Sequence, residues 1–366
     1  MGAPAVSILV AVYNTQEFLP LCLDSIRSQS FQDFQVICID DGSNDNSLSI
    51  LQAYAKSDSR FVVYSQSNHG LGYTKERALS LAEGKYVLFL DSDDFIEPDT
   101  LQVMLFRAEQ TKAQIVGFPY DIFYNHQRGF VPVPQAIDRR FLPQTDVFCA
   151  TAIPATIFQV FTPEVSNKLW LREFFSENNI HFGNYLYAED YCVTYCSLAV
   201  AERVTTVHDK AYYHYRKGRP DALTAADSNP LSFMGSYIGL KNRLSEIGFY
   251  ELLQQSYANR TLSGVVYEYN RHSQESTRRQ VLECLITEGF QLLDLADYGP
   301  SYFYDRKEYR LFQDFLNPPG VLRQRLRRLV SMTKSAALFL FNVCQYIRLH
   351  GWAAALQRAG ERLRRR

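Results

Sequence analysis

Three carboxylates, Asp91, Asp93 and Asp94, fall within four residues directly after the apolar run Val87-Leu88-Phe89-Leu90. The run is too short for an ordinary helix and reads as a buried strand. Side chains alternate along an extended chain, so Asp91 and Asp93 are expected on one side with Ser92 on the other, giving two hard oxygen ligands a shared target. Carboxylates left unpaired at a buried strand end are costly, so a positive group must sit there, and a divalent cation, Mg²⁺ or Mn²⁺, is the expectation. The bland alternative is a solvated acidic turn leading to a helix near Pro98, and an isolated Asp-x-Asp does not decide between them.

A second pair of acids, Glu189-Asp190, opens a helical stretch running to about Ala201. Negative charge is favoured in a first helical turn by the backbone dipole, but capping accounts for only one of the two.

These acids need a scaffold, and the chain supplies a regular one. Val6 to Val12 is an almost unbroken apolar run ending at Tyr13-Asn14-Thr15, followed by a helix from about Glu17 to Gln29. Phe34 to Ile39 is a second strand, closed by Asp40-Asp41-Gly42-Ser43. A helix over 47–56, a strand over 61–64, the loop Asn68-His69-Gly70-Leu71-Gly72 and a helix to about Ala82 lead to the strand carrying Asp91. This alternation implies a mostly parallel sheet flanked by helices, an α/β fold, and such sheets bind ligands at the carboxyl ends of their strands. Tyr13-Asn14, Asp40-Asp41 and Asp91 to Asp94 all fall at those ends. A further strand is expected at 115–118, then an irregular connection over 121–159, and a short aromatic strand at 211–215.

Taken together, Val-Ser-Ile-Leu-Val-Ala-Val-Tyr-Asn at 6–14, Asp-Asp-Gly-Ser at 40–43 and Gly-Lys-Tyr-Val-Leu-Phe-Leu-Asp-Ser-Asp-Asp at 84–94 resemble the family 2 glycosyltransferases with the A-type fold. The resemblance covers roughly the first 220 residues. It implies a nucleotide-sugar site in which Tyr13 lies against the base, Asp40 or Asp41 accepts from the base N–H, and Asp91 with Ser92 meets the ribose or sugar. Asp93 would hold Mg²⁺ or Mn²⁺ on the diphosphate. His214 is a second metal candidate, though a lone His among tyrosines reads equally as a packed side chain.

Where the family carries Arg-Asn in the helix after the glycine loop, this chain has Lys75-Glu76, which keeps a charge for phosphate at Lys75. Arg216 and Arg219 are further phosphate candidates. Asn167 and Lys168, in an Asn-Lys-Leu-aromatic segment also similar to the family's, are candidates for the pocket wall. Asp190 is implied as the base that deprotonates the acceptor hydroxyl, with Glu189 beside it; such a base is typically worth about 10² to 10⁴ in rate.

Composition bounds the rest. The 366 residues, 46% hydrophobic and 14% aromatic, can fill a sizeable core. Seven Cys without paired spacing suggest a reducing compartment; Cys192 and Cys196 stand one helical turn apart and can touch. Three domains are expected: a catalytic domain over 1–225, a mainly helical region over 226–317, and a basic amphipathic tail over 321–366. The tail holds eleven Lys or Arg against Glu361, while the whole chain carries a net charge of -1. Apolar residues recur there at helical spacing, so the tail is expected to lie on an anionic membrane, with docking or homo-oligomer formation as the alternative. A nucleic-acid partner is not expected.

The whole reads as a cytoplasmic, membrane-associated inverting enzyme that moves a sugar from a UDP-sugar to a glycan or lipid-linked acceptor in bacterial surface polysaccharide synthesis. The alternative is an inactive nucleotide-sugar-binding or scaffolding protein. A nucleotidyltransferase would need a glycine-rich phosphate cradle near the start, and the sequence has none.

Overall fold

The computed structural model describes residues 2–124, 129–183, 189–219 and 230–317. The tail over 321–366, with its membrane and homo-oligomer expectations, lies outside the described residues. The chain divides into two compact units, the first ending at Arg260 and the second beginning at Thr261.

The first unit is built on a seven-stranded sheet. Its parallel part is β1 (Val6–Val12), β2 (Phe34–Asp40), β3 (Phe61–Ser65) and β4 (Tyr86–Asp91), connected in turn by α1 (Leu19–Arg27), α2 (Ser47–Ser57) and α3 (Leu71–Ser80). The strands of β1, β2 and β4 are buried along almost their whole length, as apolar runs in a doubly covered sheet must be. Register sets the site: Ala11 pairs with Asp91 and Val12 with Asp40, so these strands finish in one row.

Beyond β4 the chain forms β5 (Phe95–Ile96), α4 (Thr100–Thr111) and β6 (Ile115–Gly117). The stretch expected to be an irregular connection instead contains β7 (Tyr120–Tyr124), the short β8 (Val131–Pro132) and two 3₁₀ turns. Apolar and aromatic groups occur on both faces of Tyr-Asp-Ile-Phe-Tyr, which hides the period-2 signal.

The segment with Asn167 and Lys168 enters β9 (Lys168–Leu171), which runs antiparallel between β4 and β6 and is followed by α5 (Arg172–Glu177). Then come α6 (Glu189–Val200), β10 (Val204–Thr206) and β11 (Tyr213–Lys217). The large sheet has the order β10-β6-β9-β4-β1-β2-β3, and a second sheet has the order β5-β11-β7-β8. The fold is thus a mixed, mostly parallel α/β sheet flanked by helices.

A helical region follows. α7 (Phe233–Glu246) belongs with the first unit, where Tyr237 stacks on Tyr191 of α6 at 4.2 Å between ring centroids. α8 (Tyr250–Arg271) carries the chain into the second unit. It continues with α9 (Glu275–Cys284), a π turn at Leu285–Gly289 and the single turn α10 (Phe290–Leu292). Within that unit α11 (Arg306–Leu316) is capped by the Asp305 carboxylate, and its Phe312 and Phe315 pack against Phe290 and Tyr269. Among the described residues no helix is long and apolar enough to cross a membrane.

Candidate active site

The loops after β1 and β2 are latched together. Asn14, in the left-handed region at φ 50°, donates its backbone N–H to Ser43 Oγ at 3.0 Å, and its side-chain oxygen accepts from the Asn44 N–H at 2.8 Å. Next to this latch Tyr13 is 46% exposed, with its ring open to a flat partner. Asp41 is buried, and its carboxylate accepts from Gln66 Nε2 at 2.7 Å and from the His69 and Gly70 N–H groups at 2.9 Å each. Asp41 therefore fixes the glycine loop and the start of α3. Gly70, at φ 90°, supplies the turn into that helix. Asp40 is buried too, and its Oδ1 has no hydrogen-bond partner among the described residues.

At the end of β4 the acids separate. Asp91 is the last residue of the strand, and the chain then turns, with the Asp94 N–H donating to the Asp91 carbonyl at 3.1 Å. The extended chain expected through residue 93 ends at Asp91, so strand alternation does not set the direction of Asp93. Asp91 Oδ1 lies 3.7 Å from Lys75 Nζ, whereas Asp93 Oδ2 lies 2.7 Å from Arg219 Nη1.

Ser92 is buried and accepts from Thr15 Oγ1 at 3.0 Å, tying this turn to the one after β1. Asp94 is wholly buried, bonded to the Arg216 N–H and the Tyr213 hydroxyl. Burial, with Asp93 and Asp91 nearby, pushes its carboxyl well above the usual range.

Arg216 donates from Nε to the Asp93 carbonyl at 2.7 Å, and its guanidinium lies over the rings of Phe18 and Phe123 at 4.5 and 4.4 Å. Arg219 also lies over Phe18, at 4.9 Å. Two guanidiniums thus gather around Asp93, held partly by cation–π contact.

Lys75 is 4% exposed, and its ammonium meets acids from two elements: Asp190 at 2.9 Å and Glu189 at 3.3 Å from α6, and Asp91 at 3.7 Å from β4. Burial opposes the charged form of Lys75, but Asp190, Asp91 and Glu189 outweigh it and hold its pKa well above the ordinary value. Burial raises the carboxyls of Asp91 and Glu189, partly offset by Lys75. The second oxygen of Asp190 accepts from the Val165 N–H at 3.2 Å. Both oxygens of this carboxylate are therefore gripped.

His214 is committed elsewhere. Nδ1 lies 2.7 Å from Asp121 Oδ1 and Nε2 2.9 Å from Glu97 Oε1, with Phe95 and Phe130 on its flanks. Burial opposes its protonation, but the bonds to Asp121 and Glu97 outweigh this and raise its pKa. Both nitrogens are thus engaged by carboxylates, so His214 acts here as a packed, hydrogen-bonded side chain.

Asp93 does fit by donor chemistry: it is a hard carboxylate, 19% exposed, at the end of a strand. Among the described residues no group of three or more His, Cys, Asp or Glu side chains is arranged to hold a metal, so a cation here would take further oxygens from its ligand.

Asn167 and Lys168 do not line a pocket; both are fully buried. Lys168 Nζ donates to the carbonyls of Thr162 at 3.1 Å and Glu164 at 2.5 Å and to Asn167 Oδ1 at 2.8 Å, while Trp170 Nε1 donates to the Val165 carbonyl at 3.0 Å. The pair shapes the loop that presents Val165 to Asp190.

Glu76 is the residue the sequence reading passed over. One carboxylate oxygen lies 2.7 Å from His181 Nδ1, and the other accepts from the Phe182 N–H at 2.8 Å. Its signal was the acid standing where the family carries Asn. Cys192 and Cys196 do touch, with 3.7 Å between sulfurs.

Residues 7–170 match the family described as Glycosyl transferase family 2. The chain is similar to the uncharacterized glycosyltransferase EpsJ of Bacillus subtilis, 32% identical over 62% of this chain and 65% of that protein. It is similar also to the poly(ribitol-phosphate) beta-glucosyltransferase of Bacillus spizizenii, 29% identical over 63% of this chain and 35% of the relative. The chain thus spans less than two thirds of the length of these curated relatives.

Among solved structures, Staphylococcus aureus TarS 1-349 in complex with UDP-GlcNAc superposes with a TM-score of 0.64 at 23% identity, over 80% of this chain and 82% of that one. The sheet order, the row of acidic strand ends and these matches agree: residues 7–170 form a family 2 glycosyltransferase domain, and the chain is similar in fold to bacterial glycosyltransferases with the A-type fold.

Proposed function

We propose that this chain is an inverting transferase that moves a sugar from a UDP-sugar to a hydroxyl of a glycan or lipid-linked acceptor in bacterial surface polysaccharide synthesis. One observation carries the reading. The acids of α6 and the acidic end of β4, about a hundred residues apart in sequence, meet within 4 Å of a single buried ammonium. Capping of α6 explains neither the convergence nor its position at the strand ends, where this class of sheet binds ligands.

The contacts support the proposed roles. Tyr13 offers an exposed ring to the base, and Asp40 has an unpaired acceptor for a base N–H beside Asp41. Asp91 would meet the ribose or sugar. Arg216 and Arg219 supply positive charge for the diphosphate, and Asp93 between them would hold Mg²⁺ or Mn²⁺. The cation, when bound, neutralises charge on the departing diphosphate.

Asp190 accepts the acceptor's hydroxyl proton, and attack from the face opposite the leaving group inverts the anomeric centre. Glu189 lies beside it on the acceptor side. A UDP donor is supported by the UDP-GlcNAc complex of the similarly folded TarS, and a surface-polymer acceptor by the name of the ribitol-phosphate relative. The basic tail, for its part, would hold the enzyme at the inner face of the membrane.

The test is a panel of nucleotide sugars incubated with the purified protein and Mn²⁺, reading nucleotide release with and without chelator. Release from one UDP-sugar above all others, dependent on metal, supports the reading. Nucleotide binding without release from any donor would favour the non-catalytic alternative.

A further inference from the structure

The positive charge at Lys75 is expected, by resemblance, to meet phosphate, but its surroundings suit another task. Its ammonium is buried against three carboxylates, so a diphosphate approaching it would meet like charges first. Arg216 and Arg219 already offer cations at Asp93.

We propose that Lys75 is a positioning residue for the acceptor base, holding one oxygen of Asp190 while the Val165 N–H holds the other, rather than a ligand of the donor diphosphate. This rests on the reading of Asp190 as base.

The helix that carries Lys75 is placed for the task. Asp41 pins the loop at its start through the His69 and Gly70 N–H groups, close to the proposed base pocket. The next residue, Glu76, holds His181 and the Phe182 N–H, upstream of α6 in the chain. α3 is therefore a brace: one end is fixed by the donor side, and its middle grips the segment that carries the acceptor base. A carboxylate fixed at both oxygens has one orientation, and proton transfer depends on that alignment.

The experiment compares Lys75→Ala, Lys75→Arg and Asp190→Asn. UDP affinity is read by calorimetry, kcat and donor KM by transfer, and rescue by added ethylammonium. Lys75→Ala is expected to lower kcat by about 10²-fold, the cost of a misplaced reacting group, with UDP affinity and donor KM near those of the unmodified enzyme. Ethylammonium should restore part of that rate in Lys75→Ala and none in Asp190→Asn.

Should Lys75→Ala not fold, Lys75→Arg keeps the cation in a different geometry and should show the same split of kcat against UDP affinity. Weakened UDP binding with kcat retained at saturating donor, in either variant, would overturn the proposal and return Lys75 to the diphosphate. Transfer by Asp190→Asn at the unmodified rate would instead remove the base assignment itself, whatever the Lys75 variants do.

Discussion

Lys75 and Asp190 lie 115 positions apart in the chain and 2.9 Å apart in space. Their contact joins the helix that follows the β3 strand end to the helix that opens with the proposed acceptor base. One ammonium also reaches Asp91, so the acids proposed for the donor and acceptor sides share a buried electrostatic centre. Breaking a buried pair on one side leaves an uncompensated charge, which is why the variants below are read for binding and rate separately.

Asp93→Ala should abolish the metal-dependent part of UDP binding. Calorimetric titration of UDP with and without Mn²⁺ should give two distinct isotherms for the unmodified protein and superimposable ones for the variant. A metal-dependent gain surviving in Asp93→Ala would move the cation elsewhere.

Lys168 makes stability depend on pH. Burial pushes its side chain down from 10.5 to about 7, even though three oxygens surround its nitrogen as partners for an ammonium. Below about pH 7 both folded and unfolded states carry the proton, and the burial cost is present in full. Between there and 10.5 the unfolded chain binds more protons than the folded one, so stability rises with pH, by at most about 1.4 kcal/mol per pH unit for one proton. Chemical denaturation at pH 7 and pH 9 should show that rise in the unmodified protein and lose it in Lys168→Met. An identical pH dependence in both would show that Lys168 stays charged when folded.

Gly84 is a packing constraint on the same sheet. A Cβ there would stand 2.5 Å from the Ser7 nitrogen and 2.7 Å from Ser7 Oγ, where β1 begins, and the Gly84 N–H already donates to that hydroxyl at 2.8 Å. Backbone cannot yield as a side-chain tip can, so Gly84→Ala should destabilise the protein by about 1–3 kcal/mol or more, read as a lowered denaturation midpoint. An unchanged midpoint would mean that β1 and β4 tolerate a shift in spacing.

Much of this was legible in the sequence, and the reasons are specific. β1 was readable to the residue because a strand covered on both faces is written as an uninterrupted apolar run. The row of acids was readable because each run stops abruptly at polar residues. β9 was not, since Lys168 reads as a residue of the pocket wall until it is seen buried and bonding three oxygens of the loop before the strand. The partners of His214 were not readable, because nothing local reveals Glu97 and Asp121, which arrive from distant elements. The direction of Asp93 was not readable for a local reason: alternation stops where the strand does, at Asp91.

For the tail over 321–366, each basic residue near an anionic membrane contributes about 1 kcal/mol before screening. Removing it should abolish binding to anionic vesicles and leave nucleotide release from the donor intact. Vesicle binding by the full chain should weaken with salt as the Debye length falls from about 10 Å at 0.1 M to about 3 Å at 1 M. Equal vesicle binding by full-length and shortened chains would contradict membrane attachment, and a change from oligomer to monomer on shortening would assign the tail to self-association.

As the proposed base, Asp190 takes the acceptor's proton and has no part in holding the donor. Measuring the transfer rate and UDP affinity of Asp190→Asn side by side separates these two roles. UDP affinity is expected to stay close to that of the unmodified enzyme, with transfer reduced by about 10² to 10⁴, the usual worth of a positioned base. Transfer at the unmodified rate would contradict the proposed role.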